Sequence, residues 1–385
     1  MTRLGRLSVC YVDPGHDFRP GSSHTRQVLT LARALLPSVD VSVTFRRVGS
    51  DPEEVGCPVS ALEPGPGSAE RVVASRRSLG RFLERRAADF GMILDAGWPM
   101  PGKLTAWCGQ RGIPAIPVLD GLPGTSWLGP LDPGAPWLGF GASGRYLRRP
   151  PVVVASSTGL RDAIVRRWRV DPARIAVIGP AIDRSLFAPR DQVEARRRLR
   201  IDPAHRVVVV GDGLGPGPDL APLIEAVPRA GDPALRLHVL GEGERLPALK
   251  RLAGTGGSIQ FHGAVSDDLQ AQYLSAADLC VLLDGSSGSS FTLLECVSSA
   301  RPVAVAIGGA RIPRLQPLAT GFTVEHDLLS WIRFLQRDCP SRNTLRMMGL
   351  AASSTPVEHA QRTAAAYLAV IDRALTAEAP PAALV

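Results

Sequence analysis

The segment from Asp278 to Ala304, DLCVLLDGSSGSSFTLLECVSSARPVA, joins an apolar run, a Gly/Ser loop and a helix start that carries one carboxylate, Glu295. Val281, Leu282 and Leu283 form the kind of short apolar run that is buried in a parallel sheet. The loop from Gly285 to Ser290 can present backbone N–H groups at the positive end of the helix that follows, an arrangement that seats the phosphates of a nucleotide. Glu295 lies about one turn into that helix, where an ionised carboxylate offers acceptors to hydroxyl groups. The same pattern also fits any strand–loop–helix unit of a doubly wound domain, with Glu295 a solvated helix-start carboxylate favoured by the dipole.

Other residues with chemical potential are scattered. His16 and His24 flank the loop DPGHDFRPGSSHTRQ and are candidates for acid/base or phosphate-donor work, although loop and capping roles suit them equally. His238 and His262 fall at strand positions and read as satisfied core or edge residues. Asp120, in LDGLPG, could orient a hydroxyl group, and an Asp-Gly turn explains it as well. No metal-ligand cluster is present: the close acidic pairs, Asp267–Asp268 and Glu53–Glu54, read as exposed helix starts, so neither metal nor cofactor is expected. Glycines in GDGLGPG lack the Gly-x-Gly-x-x-Gly spacing, which excludes a dinucleotide oxidoreductase.

These residues need a scaffold, and the hydrophobic pattern supplies one. Strands are expected at 7–12, 41–45, 92–94, 115–119, 152–155 and 175–178, with helices at 25–36, 69–90, 103–111 and 161–168 between them. GPAIDRSLFAPR has no period and reads as a crossing between domains. The rhythm then restarts, with strands at 207–210, 235–240, 259–261, 279–283 and 303–306 and helices at 219–227, 246–253, 269–275 and 293–299. The expected class is α/β: two Rossmann-like doubly wound domains, 1–180 and 181–356, facing a central cleft, with ligands at the carboxyl ends of the strands. An amphipathic helix over about 357–376 has Ala360, Ala364, Tyr367, Leu368, Val370 and Ile371 as its buried set.

With 385 residues the chain suits two such domains. Of its 44 Lys and Arg residues only Lys103 and Lys250 are lysines, and the net charge of +8 favours anionic partners; no nucleic-acid motif accompanies it. Arg76, Arg77, Arg81, Arg85 and Arg86 line one side of the 69–90 helix, opposite Val72, Leu79, Phe82, Leu83 and Phe90, which suits either an anionic membrane surface or water. Six cysteines without a Cys-x-x-Cys pair read as reduced thiols, and no segment resembles a signal peptide or a membrane span, so a cytoplasmic protein, at most peripheral at the inner face of the membrane, is expected.

The 278–304 segment resembles the donor-binding signature of the retaining family 4 glycosyltransferases: Glu, seven residues, Glu, then Gly-x-Pro-Val. Glu295 stands at the second Glu, Pro302 and Val303 match, Ala300 replaces the Gly and Ser287 the first Glu. The hinge IAVIGPAIDRSLFAP is similar to the family's in Asp183, Phe187 and Pro189; Phe261, Gly263, Val265, Tyr273 and Asp278 match its Phe-x-Gly-x-Val segment; and Ala319 to Val324 matches the stretch after the sugar-binding loop. Together these cover nearly the whole chain and imply a GT-B fold. In the resembled family the last helix crosses back to the first domain.

The resemblance implies transfer of a sugar from a nucleotide-diphosphate sugar, with retention of configuration, to a saccharide, lipid-linked or natural-product acceptor. Such chemistry stabilises negative charge on the leaving diphosphate and holds the anomeric carbon beside an acceptor hydroxyl. Glu295 would accept hydrogen bonds from the ribose, while Ser287 and Asp120 would stand nearest the sugar. Ser22 and Ser23 occupy the family's Gly-Gly positions beside the diphosphate, where a backbone nest is available. Gly211, Gly213, Gly241, Glu242, Val265, Ser289, Ser290, Phe291 and Thr292 would complete the nucleotide-sugar site. Asp212, Gly213 and Pro218 stand about where the family has an Arg and a Lys for the phosphates; Arg245 and Arg301 could supply that charge, with solvation their default. These replacements leave a second expectation open, a catalytically inactive partner or stabilising subunit of another glycosyltransferase.

Overall fold

The computed structural model describes residues 6–13, 18, 23–45, 56–62, 79–82, 84–86, 89–96, 102–120, 144–180, 182–211, 214, 219–283, 289–307, 321–353 and 359–377. They form two compact units, one of Met1–Arg19, Val28–Ala181 and Glu358–Val385, the other of Pro20–Gln27 and Ile182–Val357.

The first unit holds seven parallel strands: β1 (Ser8–Asp13), β2 (Asp40–Phe45), β3 (Val59–Ala61), β4 (Met92–Asp95), β5 (Ala115–Leu119), β6 (Val153–Ala155) and β7 (Ile175–Val177). They lie in the order β3-β2-β1-β4-β5-β6-β7. β1, β4 and β5 are apolar along nearly their whole length because helices cover both faces, as a parallel sheet requires. On one face, Val28, Leu31 and Leu35 of the Ser23–Leu35 helix share a core with Val9, Val43, Ile116 and, from the Ala360–Thr376 helix, Ala364, Tyr367, Val370 and Ile371.

The second unit repeats the plan with six parallel strands: β8 (Arg206–Val210), β9 (Leu235–Val239), β10 (Ile259–Phe261), β11 (Leu279–Leu283), β12 (Val303–Ile307) and β13 (Gly321–Glu325), in the order β10-β9-β8-β11-β12-β13. Strand order reverses between β8 and β11, which pair Val208 with Leu279 and Val210 with Val281. That reversal opens a crevice at the strands' carboxyl ends, where doubly wound domains take ligands. The expected class, a two-domain Rossmann-like α/β fold, is therefore present.

Besides the short helical turns Pro172–Arg174 and Phe334–Asp338, two strands and three α-helices among the described residues fall outside the expected set. β3 and β13 are sheet edges whose residues are nearly all exposed or part-exposed, so neither shows an apolar run. The helix Gln192–Arg198 is polar along most of its length; it buries only Ala195 and Arg196, and Gln192 and Arg196 tie it to the Ala276–Asp278 backbone and carboxylate. Asp191 caps it by accepting from Val193 N at 2.7 Å and Glu194 N at 3.0 Å, and Glu194 accepts from Arg197 and Arg198 on the next turn. The helices Leu328–Arg333 and Arg342–Ser353 complete the set. Most of the expected 69–90 helix lies outside the described residues; 79–82 and 84–86 are helical, with Phe82 stacked on Phe90 at 6.1 Å and Arg86 over the Phe90 ring at 5.6 Å. Among the described residues no helix is long and apolar enough to cross a membrane.

Candidate functional site

The crevice between β8 and β11 is built by Gly211, just beyond β8, and by the Ser289–Ser298 helix that follows β11. A Cβ on Gly211 would stand 3.7 Å from Gln270 Nε2 and 3.9 Å from Thr292 Cγ2, so the backbone there runs close under both side chains. Glu295, one turn past Thr292 on the same helix, is completely buried. Phe291 points the other way, into the hydrophobic core with Val265. Thus Gly211, Thr292 and Glu295 come together, while Val265 and Phe291 serve as packing.

Glu295 is not a solvated helix-start carboxylate. Arg26, in the helix Ser23–Leu35, donates from Nε to Oε1 at 2.6 Å and from Nη2 to Oε2 at 3.1 Å, and Gln270 Nε2 donates to Oε2 at 2.9 Å. The other arm of the guanidinium, Nη1, reaches Asp267 Oδ1 at 3.1 Å, and the Phe187 ring centroid lies 5.7 Å from Cζ. Burial alone would lower the Arg26 pKa, but Glu295 and then Asp267 hold it above its ordinary value, so the guanidinium stays charged. Burial likewise pushes the Glu295 carboxyl up, against the opposing pull of Arg26. Asp267, expected as an exposed helix start, instead joins this network at 31% exposure; Ser266 caps its helix.

A second group lies at the ends of β9 and β10. Gly241, at φ 106°, donates its N–H to Gly263 O at 2.7 Å, and a Cβ on Gly263 would come within 3.7 Å of Glu242 Oε1. Both glycines adopt a backbone that favours a residue without Cβ. Below them His238 Nδ1 and His262 Nε2 share a hydrogen bond of 3.0 Å, and His262 Nδ1 meets Tyr273 OH at 3.0 Å. Burial, then His262, His205, Arg236 and Arg196 hold the His238 imidazole down at about 4. The folded value lies below the ordinary 6.5, so the stability tied to neutral His238 is complete above 6.5 and is lost as pH falls towards 4. Urea unfolding between pH 7.5 and 4.5 should lose up to roughly 3 kcal/mol more in the wild type than in His238→Gln. Equal slopes would remove the assignment.

In the first unit, strand order reverses between β1 and β4, which end on the buried carboxylates Asp13 and Asp95. Asp95 Oδ2 accepts from Thr105 N at 3.0 Å and Thr105 Oγ1 at 2.9 Å. Asp120, one residue past β5, has an exposed side chain, and its carbonyl accepts from Ser156 Oγ at 3.4 Å. Glu242 is also exposed. His16, Ser22, Gly213 and Ser287 lie outside the described residues; Ser23, Ser289 and Ser290 are described as helix backbone only. Arg301 corrects its default of solvation: it is buried beside Asp278, with Nη1 3.4 Å from Ala277 O, and it does not face the crevice through any of these bonds.

Arg26 and Gln270 are not singled out by the sequence, and Asp267 reads there only as a helix start, although all three partner Glu295 or the guanidinium bound to it. No local signal distinguishes them, because Arg26 meets its partner 269 residues along the chain.

Two family models match the chain. One, described as Glycosyltransferase Family 4, covers residues 24–186, and the other, Glycosyl transferases group 1, covers 204–333. A D-inositol 3-phosphate glycosyltransferase of Rhodococcus opacus (strain B4) is 30% identical over 197 residues, which are 48% of this chain and 44% of that protein. The chain thus spans about half the length of the curated relatives it matches. Among solved structures, the sucrose-phosphate synthase of Thermosynechococcus elongatus superposes with a TM-score of 0.72 at 19% identity, over 97% of this chain and 100% of that one. Anabaena HepE, solved in complex with UDP and glucose, gives 0.68 at 15% identity, over 95% and 99%. With both models falling in order along two Rossmann-like units, and with GT-B glycosyltransferases as structural neighbours, the chain belongs to the family 4 glycosyltransferases of GT-B fold.

Proposed function

We propose that the protein is a glycosyltransferase that takes a sugar from a nucleotide-diphosphate sugar and passes it, with retention of configuration, to a saccharide, lipid-linked or natural-product hydroxyl. The observation that carries this is the placement of Glu295 at the carboxyl-end crevice between β8 and β11, within reach of Gln270 and beside Gly211 and Thr292. A carboxylate there accepts from ribose hydroxyls, and the start of the Ser289–Ser298 helix faces the diphosphate with a positive end. Complexes of Anabaena HepE with UDP and with UDP-glucose support a nucleotide-sugar donor in this fold. Asp120 is proposed on the acceptor side, at the end of β5. In a retaining transfer the leaving phosphate oxygen takes the acceptor proton, so no strong protein base is required.

Calorimetric titration of the full chain with UDP, GDP and their common sugar conjugates tests the proposal. One nucleotide should bind, and Glu295→Gln should weaken it roughly 10- to 100-fold, the range for hydrogen bonds to a charged group. Silence from all of them in folded protein would instead point to the non-catalytic partner subunit.

A further inference from the structure

Glu295 has no exposed surface, and each of its carboxylate oxygens already holds a donor. The Nε–H and Nη2–H of Arg26 meet Oε1 and Oε2 as a bidentate fork, the geometry in which a guanidinium recognises a carboxylate most strongly. Two neighbouring hydroxyls on a ribose present the same pair of donors. We infer that Arg26 and a ribose diol compete for Glu295, so that Arg26 determines which ligands the crevice admits. A ligand with two vicinal hydroxyls replaces the fork bond for bond. One with a single hydroxyl returns only one of the two bonds that the fork gave, with Gln270 alone left on Oε2, so it displaces the guanidinium at a net loss.

The surroundings fit an exchange. Gln270 keeps its own bond to Oε2 from the Asp267–Ala276 helix and so holds Glu295 in place while Arg26 leaves. Asp267, which already accepts from Arg26 Nη1 and is partly open to solvent, gives the displaced guanidinium a partner outside the buried position. The cation then remains at the crevice, where a diphosphate would bring negative charge. This inference rests on the nucleotide-sugar reading above and adds to it a specificity residue.

The test compares the full chain with Arg26→Gln, each titrated with UDP, GDP and their 2′-deoxy forms. Removing the competitor frees the binding-competent state, so Arg26→Gln should bind the ribonucleotide at least about tenfold more tightly than the wild type. Equal binding by the folded variant overturns the competition, and weaker binding shows that Arg26 assists the ligand instead. Should Arg26→Gln fail to fold, the wild type decides: in arginine-labelled protein the Arg26 Nε–H resonance should shift on saturation with the ribonucleotide and stay in place with the deoxynucleotide. A resonance unmoved by bound ribonucleotide also overturns it. Absence of nucleotide binding from every folded form removes the nucleotide-sugar reading itself, whereas equal binding by both proteins removes only the role of Arg26.

Discussion

Asp278→Ala is expected to destabilise the second unit by about 3–5 kcal/mol, the range for leaving a buried charge without its partner. Asp278 stands immediately before β11 and is almost wholly buried. Its Oδ2 accepts from Arg196 Nη2 and from Val207 N, each at 2.8 Å, and its Oδ1 from Gln192 Nε2 and Arg342 Nε, each at 3.2 Å. Arg196 is buried too, and its other donors are spent on the carbonyls of Ala276, Pro203 and His205. Burial already lowers the Arg196 pKa, with Asp278 opposing it, so losing the carboxylate strands a charge that has no water to turn to. Chemical denaturation of the variant should show the loss as a lower midpoint. The double variant Asp278→Leu, Arg196→Met, which removes both charges, should recover much of it. A single variant within 1 kcal/mol of the wild type would contradict the network. β11, which follows Asp278, is the strand that precedes the helix carrying Glu295.

The second large effect lies at the other end of that helix. Ser289–Ser298 closes with Arg301 N bonded to Cys296 O at 2.9 Å and Ala300 N to Val297 O at 3.0 Å, the Schellman arrangement. Ala300 takes the left-handed position of that motif, at φ 57°, where glycine is usual. Gly349 of the Arg342–Ser353 helix packs directly on this turn: a Cβ there would stand 2.1 Å from Ala300 O and 2.7 Å from Ala300 C. Backbone cannot rotate aside as a side chain does, so Gly349→Ala must separate the helix from the turn. A loss of about 3 kcal/mol is expected, at the upper end of overpacking. Ala300→Gly should act in the opposite sense, with a gain of up to about 1 kcal/mol from relief of the left-handed strain, partly offset by greater freedom of the unfolded chain. Urea midpoints of the two variants should therefore move apart. A Gly349→Ala protein as stable as the wild type would rule out the close approach.

Much of the architecture was legible because it is written in short-range patterns. β5, β10 and β11 begin and end at the expected residues, since an apolar run between turn residues needs no distant information to declare itself. The edges β3 and β13 and the polar helix Gln192–Arg198 were not, because pairing to a neighbour, or a cap, ion pairs and the bonds of Gln192 and Arg196 to Asp278, rather than burial of an apolar face, make them. The site divides in the same way. Glu295, Thr292 and Gly211 could be singled out from a strand–loop–helix signature and a resemblance. Their chemical state could not.

By itself the sequence determined most strands and helices and the doubly wound class, consequences of hydrophobic spacing and loop chemistry within a few residues, and a resemblance added Glu295 as the carboxylate of the second unit's crevice. Tertiary structure alone decided what that carboxylate touches. Arg26 and Glu295 lie 269 residues apart, and their bond depends on where two helices place a guanidinium and a carboxylate, each buried and so unable to go unpaired. The Asp278 cluster and the Ala300–Gly349 approach arise for the same reason: burial turns a choice of partner into a requirement, and only the folded chain says which partner is within reach.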